Sequence, residues 1–186
     1  MTTSEEDWDR ASLTTLGIGP AAVSTHLEQL LASDPEERRR ASDLLYCEVA
    51  NQGQLYGAAV LCVDFLAGHT AAGGRQTPES IALLESILNA RSPGLRAVRR
   101  GNPVDVAEYC REGILKILPE ILRSADGRDA GFFREVCFLI PQLADSSDSV
   151  IEFLTAATSD HQGELRRLAG EALEEAEDVS REGHMA

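Results

Sequence analysis

Apolar residues recur at helical spacing in successive blocks, and the blocks are separated by Gly, Pro and Asp turns. Val23, Leu27, Leu30 and Leu31 fall on one face of a helix predicted over 20–33. Ser33-Asp34-Pro35-Glu36-Glu37 then restarts a helix. Proline suits its first position, and two carboxylates follow where the helix dipole favours negative charge. This second helix carries Ala41, Leu44, Leu45 and Val49 and stops near Gly53; a third spans about 55–67 and ends at Gly68. After a Gly-rich connector over 69–75, Thr77-Pro78-Glu79-Ser80 opens a fourth helix with Ile81, Leu84, Ile87 and Leu88 on one face.

The stretch 91–102 reads as a loop, and Asn102-Pro103 as the cap of a long helix to about Ser124 that Pro119 should kink. Three more helices follow over 129–143, 147–158 and 162–177, the first bending or finishing early at Pro141. No period-two alternation persists long enough to predict a strand. The expectation is an all-α chain of about eight helices. Residues 1–19 form an N-terminal polar segment, 20–178 the helical domain and 179–186 a tail.

Three helix starts resemble one another. Asp34-Pro35 before Arg38-Arg39-Arg40-Ala41 recurs loosely as Asp129 before Arg134-Glu135-Val136, and as Asp160 before Arg166-Arg167-Leu168-Ala169. Equating Arg40, Arg134 and Arg167 gives spacings of 94 and 33, the first about two units of 47, a length found among helical-pair repeats. Between the second and third helices lies Asn51-Gln52-Gly53-Gln54-Leu55-Tyr56-Gly57-Ala58, followed by Val63-Asp64-Phe65-Leu66.

On these residues the chain resembles the HEAT-repeat (armadillo-like) family, and within it small bacterial HEAT-like proteins. Their turn typically reads His-Gln-Gly-x-x-Tyr-x-Ala, ahead of a helix ending Val-Pro-Phe-Leu. Asn51 stands here for the His and Asp64 for the Pro, so a role peculiar to that His is not carried over, and the helix should run straighter near Asp64. Tyr109-Cys110-Arg111-Glu112-Gly113 and the stretch 133–143 look like later repeats of that group. The resemblance spans roughly 20–175. It implies a short right-handed α-α superhelix of antiparallel helix pairs whose concave face commonly grips proteins or peptides. Tyr56 would pack on the preceding pair with its hydroxyl finding a partner, Gly53 and Gly57 permitting close approach. The alternative is that Gln52 and Tyr56 bind a ligand.

Charge narrows the function. Of 186 residues, 31 are acidic and 17 basic, for a net −14. Nucleic-acid binding needs clustered cations, and an acidic chain is repelled by anionic lipid, so neither partner is expected. A basic protein partner would be steered towards it. No apolar run reaches membrane-spanning length, and the acidic N-terminus with Glu5, Glu6, Asp7 and Asp9 is no signal peptide. Cys47, Cys62, Cys110 and Cys137 lie far apart inside predicted helices, which reads as buried, reduced thiols in a cytoplasmic protein.

His26, His69, His161 and His184 lack the spacing of a zinc site, and no metal or cofactor is expected. Arg91, Arg96, Arg99 and Arg100 form the one basic patch. It is either a solvated loop or a contact for a carboxylate- or phosphate-bearing ligand. The acidic run from Glu171 to Glu182 either caps the last repeat or forms a solvated tail, and residues 183–186 read equally as native sequence or as a vector-encoded remainder. Two function readings result. The first is a non-enzymatic protein-binding scaffold, in concrete form an immunity-type protein that neutralises a basic toxin. The alternative is a HEAT-like, lyase-like small-molecule enzyme or carrier whose polar concave pocket draws on Tyr56, Tyr109 and the arginines of 91–100.

Overall fold

Helix caps written into the sequence set several of the element boundaries in the computed structural model, which describes residues 7–125 and 130–183. Eight α-helices are found among them: α1 (Pro20–Leu30), α2 (Pro35–Val49), α3 (Ala59–Ala71), α4 (Pro78–Asn89), α5 (Val106–Ala125), α6 (Ala130–Leu139), α7 (Asp148–Asp160) and α8 (Gly163–Gly183). Glu5, Glu6, Asp129 and residues 184–186 lie outside the described residues. The all-α class predicted from periodicity is the class observed.

Asp34 caps α2 by accepting the Glu36 N–H at 3.0 Å, ahead of Pro35. Thr77 and Ser80 cap α4 reciprocally, each side chain accepting the other's backbone N–H. Such reciprocal capping satisfies two N–H groups that a helix start otherwise leaves bare. Helix α6 stops at Leu139, and a 3-10 turn over Ile140–Leu143 takes up Pro141, the early finish the sequence predicts.

The chain divides into two compact units, 1–117 and 118–186, with the division inside α5. In the first unit α1 packs on α2 and α3 on α4, while α1 also meets α3 and α2 meets α4. Val23, Leu27, Leu30, Leu45, Leu66 and Leu84 are fully buried there. Arg38 ties the elements together: its Nε meets Glu79 on α4 at 2.9 Å, and its Nη1 reaches the Ala32 and Ser33 carbonyls of the α1–α2 turn. In the second unit α8 packs on both α6 and α7. Phe133 of that core stands 4.4 Å from the His161 ring and 6.3 Å from Phe153, centroid to centroid.

Two expectations are corrected. The stretch taken as a loop and helix cap holds an antiparallel hairpin, β1 (Arg96–Arg99) and β2 (Asn102–Asp105), with Ala97 opposite Val104. Arg100 and Gly101 form its two-residue turn at φ 48° and 81°. Both angles are left-handed, as the right-handed twist of paired strands demands of a two-residue loop. Helix α5 therefore starts at Val106, and Asp105, accepting the Glu108 N–H at 3.1 Å, supplies the cap expected of Asn102. Cys47 is exposed, because the buried face of α2 runs through Ala41, Leu45, Glu48 and Val49. The other three thiols are buried, and desolvation pushes Cys62 and Cys137 up to about 12. No helix among the described residues is long and apolar enough to cross a membrane.

Candidate functional site: a donor-lined groove beside an aromatic anchor

The segment 7–19 builds one wall of the site, and it is held by the hairpin. Asp9 N–H donates to the Val98 carbonyl and Arg100 N–H to the Asp7 carbonyl, both at 2.8 Å, so the chain around Trp8 adds briefly to the edge of β1. Ser12 Oγ accepts the Val98 N–H at 2.8 Å. Arg100 closes on Asp7 with two parallel bonds of 3.0 and 2.9 Å and holds that carboxyl below its ordinary range.

Trp8 is the plug of this attachment and is 4% exposed. Its indole N–H donates to Asp64 Oδ2 of α3 at 2.9 Å, and the Tyr109 hydroxyl of α5 donates to Oδ1 at 2.5 Å. The two rings meet edge to face at 5.1 Å and 89°, a favoured aromatic geometry. The Arg99 guanidinium lies 5.4 Å from the Trp8 ring centre and 5.3 Å from that of Tyr109, close enough for cation–π attraction to both. Its Nη2 stands 3.9 Å from Asp7, and its Nε is buried with no hydrogen-bond partner. One carboxylate thus receives a donor from each of two elements, and the constellation works as an anchor for the N-terminal segment.

Burial, then the hydrogen bond and charge of Asp64, raise the Tyr109 pKa well above the ordinary phenol value. A group whose proton is held more tightly in the folded state adds stability that is full below its unfolded pKa and is lost as pH rises towards the folded one. Stability should therefore fall above about pH 10, where an unfolded tyrosine ionises. Tyr109→Phe should flatten that decline. In a spectrophotometric titration, the tyrosinate step missing from Tyr109→Phe should appear only with alkaline unfolding; a step below pH about 10.5 in the folded protein would contradict the buried, Asp64-bound phenol.

Beside the anchor, segments 14–15, 54–56 and 91–95 line an open groove with a volume of about 730 Å³. Its walls are stapled by backbone and hydroxyl bonds. Ser92 Oγ donates to the Leu55 carbonyl and accepts the Leu55 N–H at 2.8 and 3.1 Å, and Arg91 N–H donates to the Gly53 carbonyl at 2.7 Å. Thr14 Oγ1 accepts the Gly57 N–H at 2.9 Å, and the Thr14 carbonyl accepts the Ala58 N–H at 3.0 Å. Among the described residues, no acidic one lines the groove.

The structure separates the residues that the sequence singled out together. Tyr56 and Arg91 line the groove; Tyr109 and Arg99 belong to the anchor; Arg100 pairs with Asp7. Arg96 and Gln52 are exposed, and Gln52 takes the left-handed φ of 51° that turns the chain out of α2. The Tyr56 hydroxyl, expected to find a partner, makes no hydrogen bond among the described residues, although the ring is half-buried. Sequence reasoning missed Trp8, Asp64, Thr14 and Thr15. The available signals were the lone tryptophan in an acidic segment and a carboxylate inside the otherwise apolar stretch that becomes α3. No group of three or more His, Cys, Asp or Glu side chains suited to a metal occurs among the described residues. Compared with protein-family models, curated proteins and solved structures, the chain matches none.

Proposed function

We propose that this protein is a HEAT-like helical-repeat scaffold that binds a basic protein, in its concrete form an immunity-type protein that neutralises a basic toxin. The observation that carries the reading is where the charge and the exposed aromatic surface coincide. Residues 118–186 hold fifteen acidic and six basic residues, a net −9 of the total −14. On α8 the exposed side chains include Glu171, Glu174, Glu175, Glu177 and Asp178, opposite a buried face of Leu168, Ala169, Ala172 and Ala176.

Phe138 on neighbouring α6 is 48% exposed. One turn before it Arg134 bonds Glu164 of α8, and one turn after it Gln142 bonds Glu175. The ring therefore stands on the α6–α8 seam with carboxylates alongside. A desolvated aromatic anchor inside a charged rim is the usual anatomy of a protein interface. Acidic surroundings add steering for a cationic partner. The helix-pair part of the reading is supported by the packing of the first unit, where α1 and α2 pair, α3 and α4 pair, and like helices of the two pairs meet.

The test is to recover a stoichiometric partner from the native cell, identify it, and rebuild the complex from purified components. The partner should be basic, and the affinity should fall with added salt. Phe138→Ala should weaken binding roughly 30-fold. Glu174→Gln should slow association with little change in dissociation. An acidic partner, or affinity indifferent to salt and to Phe138, would sink the proposal.

A further inference from the structure

The groove of the first unit has a chemistry opposite to that of the chain as a whole. Its polar lining side chains carry donors: the Arg91 guanidinium, the Tyr56 phenol, the Gln54 amide and the Thr14 and Thr15 hydroxyls. Thr14 and Thr15 each accept one backbone N–H, from Gly57 and Gly19, which leaves their own O–H to donate elsewhere. Among the described residues Arg91 makes no ion pair, and the side chains of Tyr56 and Gln54 make no hydrogen bond. By contrast, at least eight of the chain's sixteen arginines hold a carboxylate within ion-pair distance. Apolar surface from Leu55, Pro93 and Leu95 lines the same space.

We infer that this groove is a binding site for a carboxylate carried on a small apolar body. A single guanidinium, with its planar fork, matches one carboxylate in charge and geometry. A phosphate dianion would be left under-compensated, because the lining supplies one cation among the described residues. The volume of about 730 Å³ suits a small organic acid or the last residues of a peptide, within the range of roughly 300–1,000 Å³ common for such sites. The walls are preformed, since the Ser92–Leu55 and Thr14–Gly57 bonds hold them without a ligand. This inference is independent of the interface proposed on α6 and α8.

The experiment uses the full chain with N-acetyl-leucine as probe, observed by chemical-shift perturbation. N-acetyl-leucinamide has the same body without the charge. The acid should perturb residues 54–56 and 91–95, saturating at roughly millimolar concentration, and the amide should bind at least roughly tenfold more weakly. Arg91→Ala should cost a similar factor, and Tyr56→Phe a smaller one. Both residues reach solvent, so neither variant threatens the fold. A peptide ending in free leucine, set against its C-terminally amidated form, separates the two sources of the carboxylate: tighter binding than the small acid marks a chain terminus, and equal binding a free acid. Equal binding of acid and amide, indifference to Arg91→Ala, or preferential binding of inorganic phosphate would each overturn the assignment.

Discussion

Replacing Trp8 with alanine is expected to destabilise the first unit by about 3–5 kcal/mol, the usual cost of emptying a buried aromatic site. Trp8 is 4% exposed, so nearly the whole ring volume becomes cavity or water. The substitution also strips Asp64 Oδ2 of its donor and Tyr109 of its edge-to-face partner. For a unit of this size the loss corresponds to a fall in melting temperature of roughly 15 °C or more, read by far-ultraviolet circular dichroism. Trp8→Phe keeps a ring and loses the N–H bond, so it should cost about half as much. Trp8 is the chain's one tryptophan, so wild-type fluorescence reports its environment directly. Its emission should move to the red together with the loss of helix in the first unit. A red shift that precedes any loss of helix, or an alanine variant with unchanged melting, would mean that the segment is an appendage and not part of the core.

The importance of Trp8 exposes what could and could not be read from the chain. Helices α2 and α4 were legible because each has a 3.6-residue apolar stripe and a start signal, Asp34-Pro35 or Thr77-Pro78. Local rules suffice there. The hairpin was hidden because its strands are four residues long and bury one full side chain, Ala97, while three of the surrounding positions are arginine. Its one local signal was Gly101 after Arg100, weaker than the Asn-Gly or Asp-Gly pair usual in such turns.

The anchor was hidden for a different reason. Trp8, Asp64, Arg99 and Tyr109 are up to 101 positions apart, and nothing within any one segment announces that the N-terminal segment and α5 both donate to one carboxylate of α3. Two of the ten residues lining the groove, Tyr56 and Arg91, are among those the sequence singled out, Tyr56 at a helix joint and Arg91 in the one basic patch of an acidic chain. Thr14 and Thr15 were not, since their role depends on where the hairpin holds the segment before α1. Cys47 was misread because composition places thiols inside, whereas the rotation of α2 decides which of its residues face outward.

Gly57→Ala is expected to cost roughly 3 kcal/mol or more, at the upper end for overpacking, because the new methyl meets main chain. A Cβ at position 57 would lie 2.5 Å from the Ser12 carbonyl oxygen and 2.9 Å from Thr14 N, with Thr14 Oγ1 at 3.2 Å. Side chains can rotate away; two stretches of backbone locked by hydrogen bonds cannot. The Gly57 N–H bond to Thr14 Oγ1 and the Ala58 N–H bond to the Thr14 carbonyl must lengthen, so the segment 12–15 lifts off and one wall of the groove goes with it. The variant should therefore lose both stability and the perturbation by N-acetyl-leucine. Gly68, within α3, provides the contrast. A Cβ there meets nothing within 4 Å, and its φ lies in the ordinary range. Gly68→Ala should stabilise by about 0.5–1 kcal/mol, the gain in helix propensity alone, and leave the groove unaltered. Chemical denaturation of the pair distinguishes close approach from generic intolerance: opposite signs are expected. If Gly57→Ala melted like wild type, the main-chain contact between the α2–α3 joint and the N-terminal segment would not exist in solution, and the groove would lack the wall formed by Thr14 and Thr15.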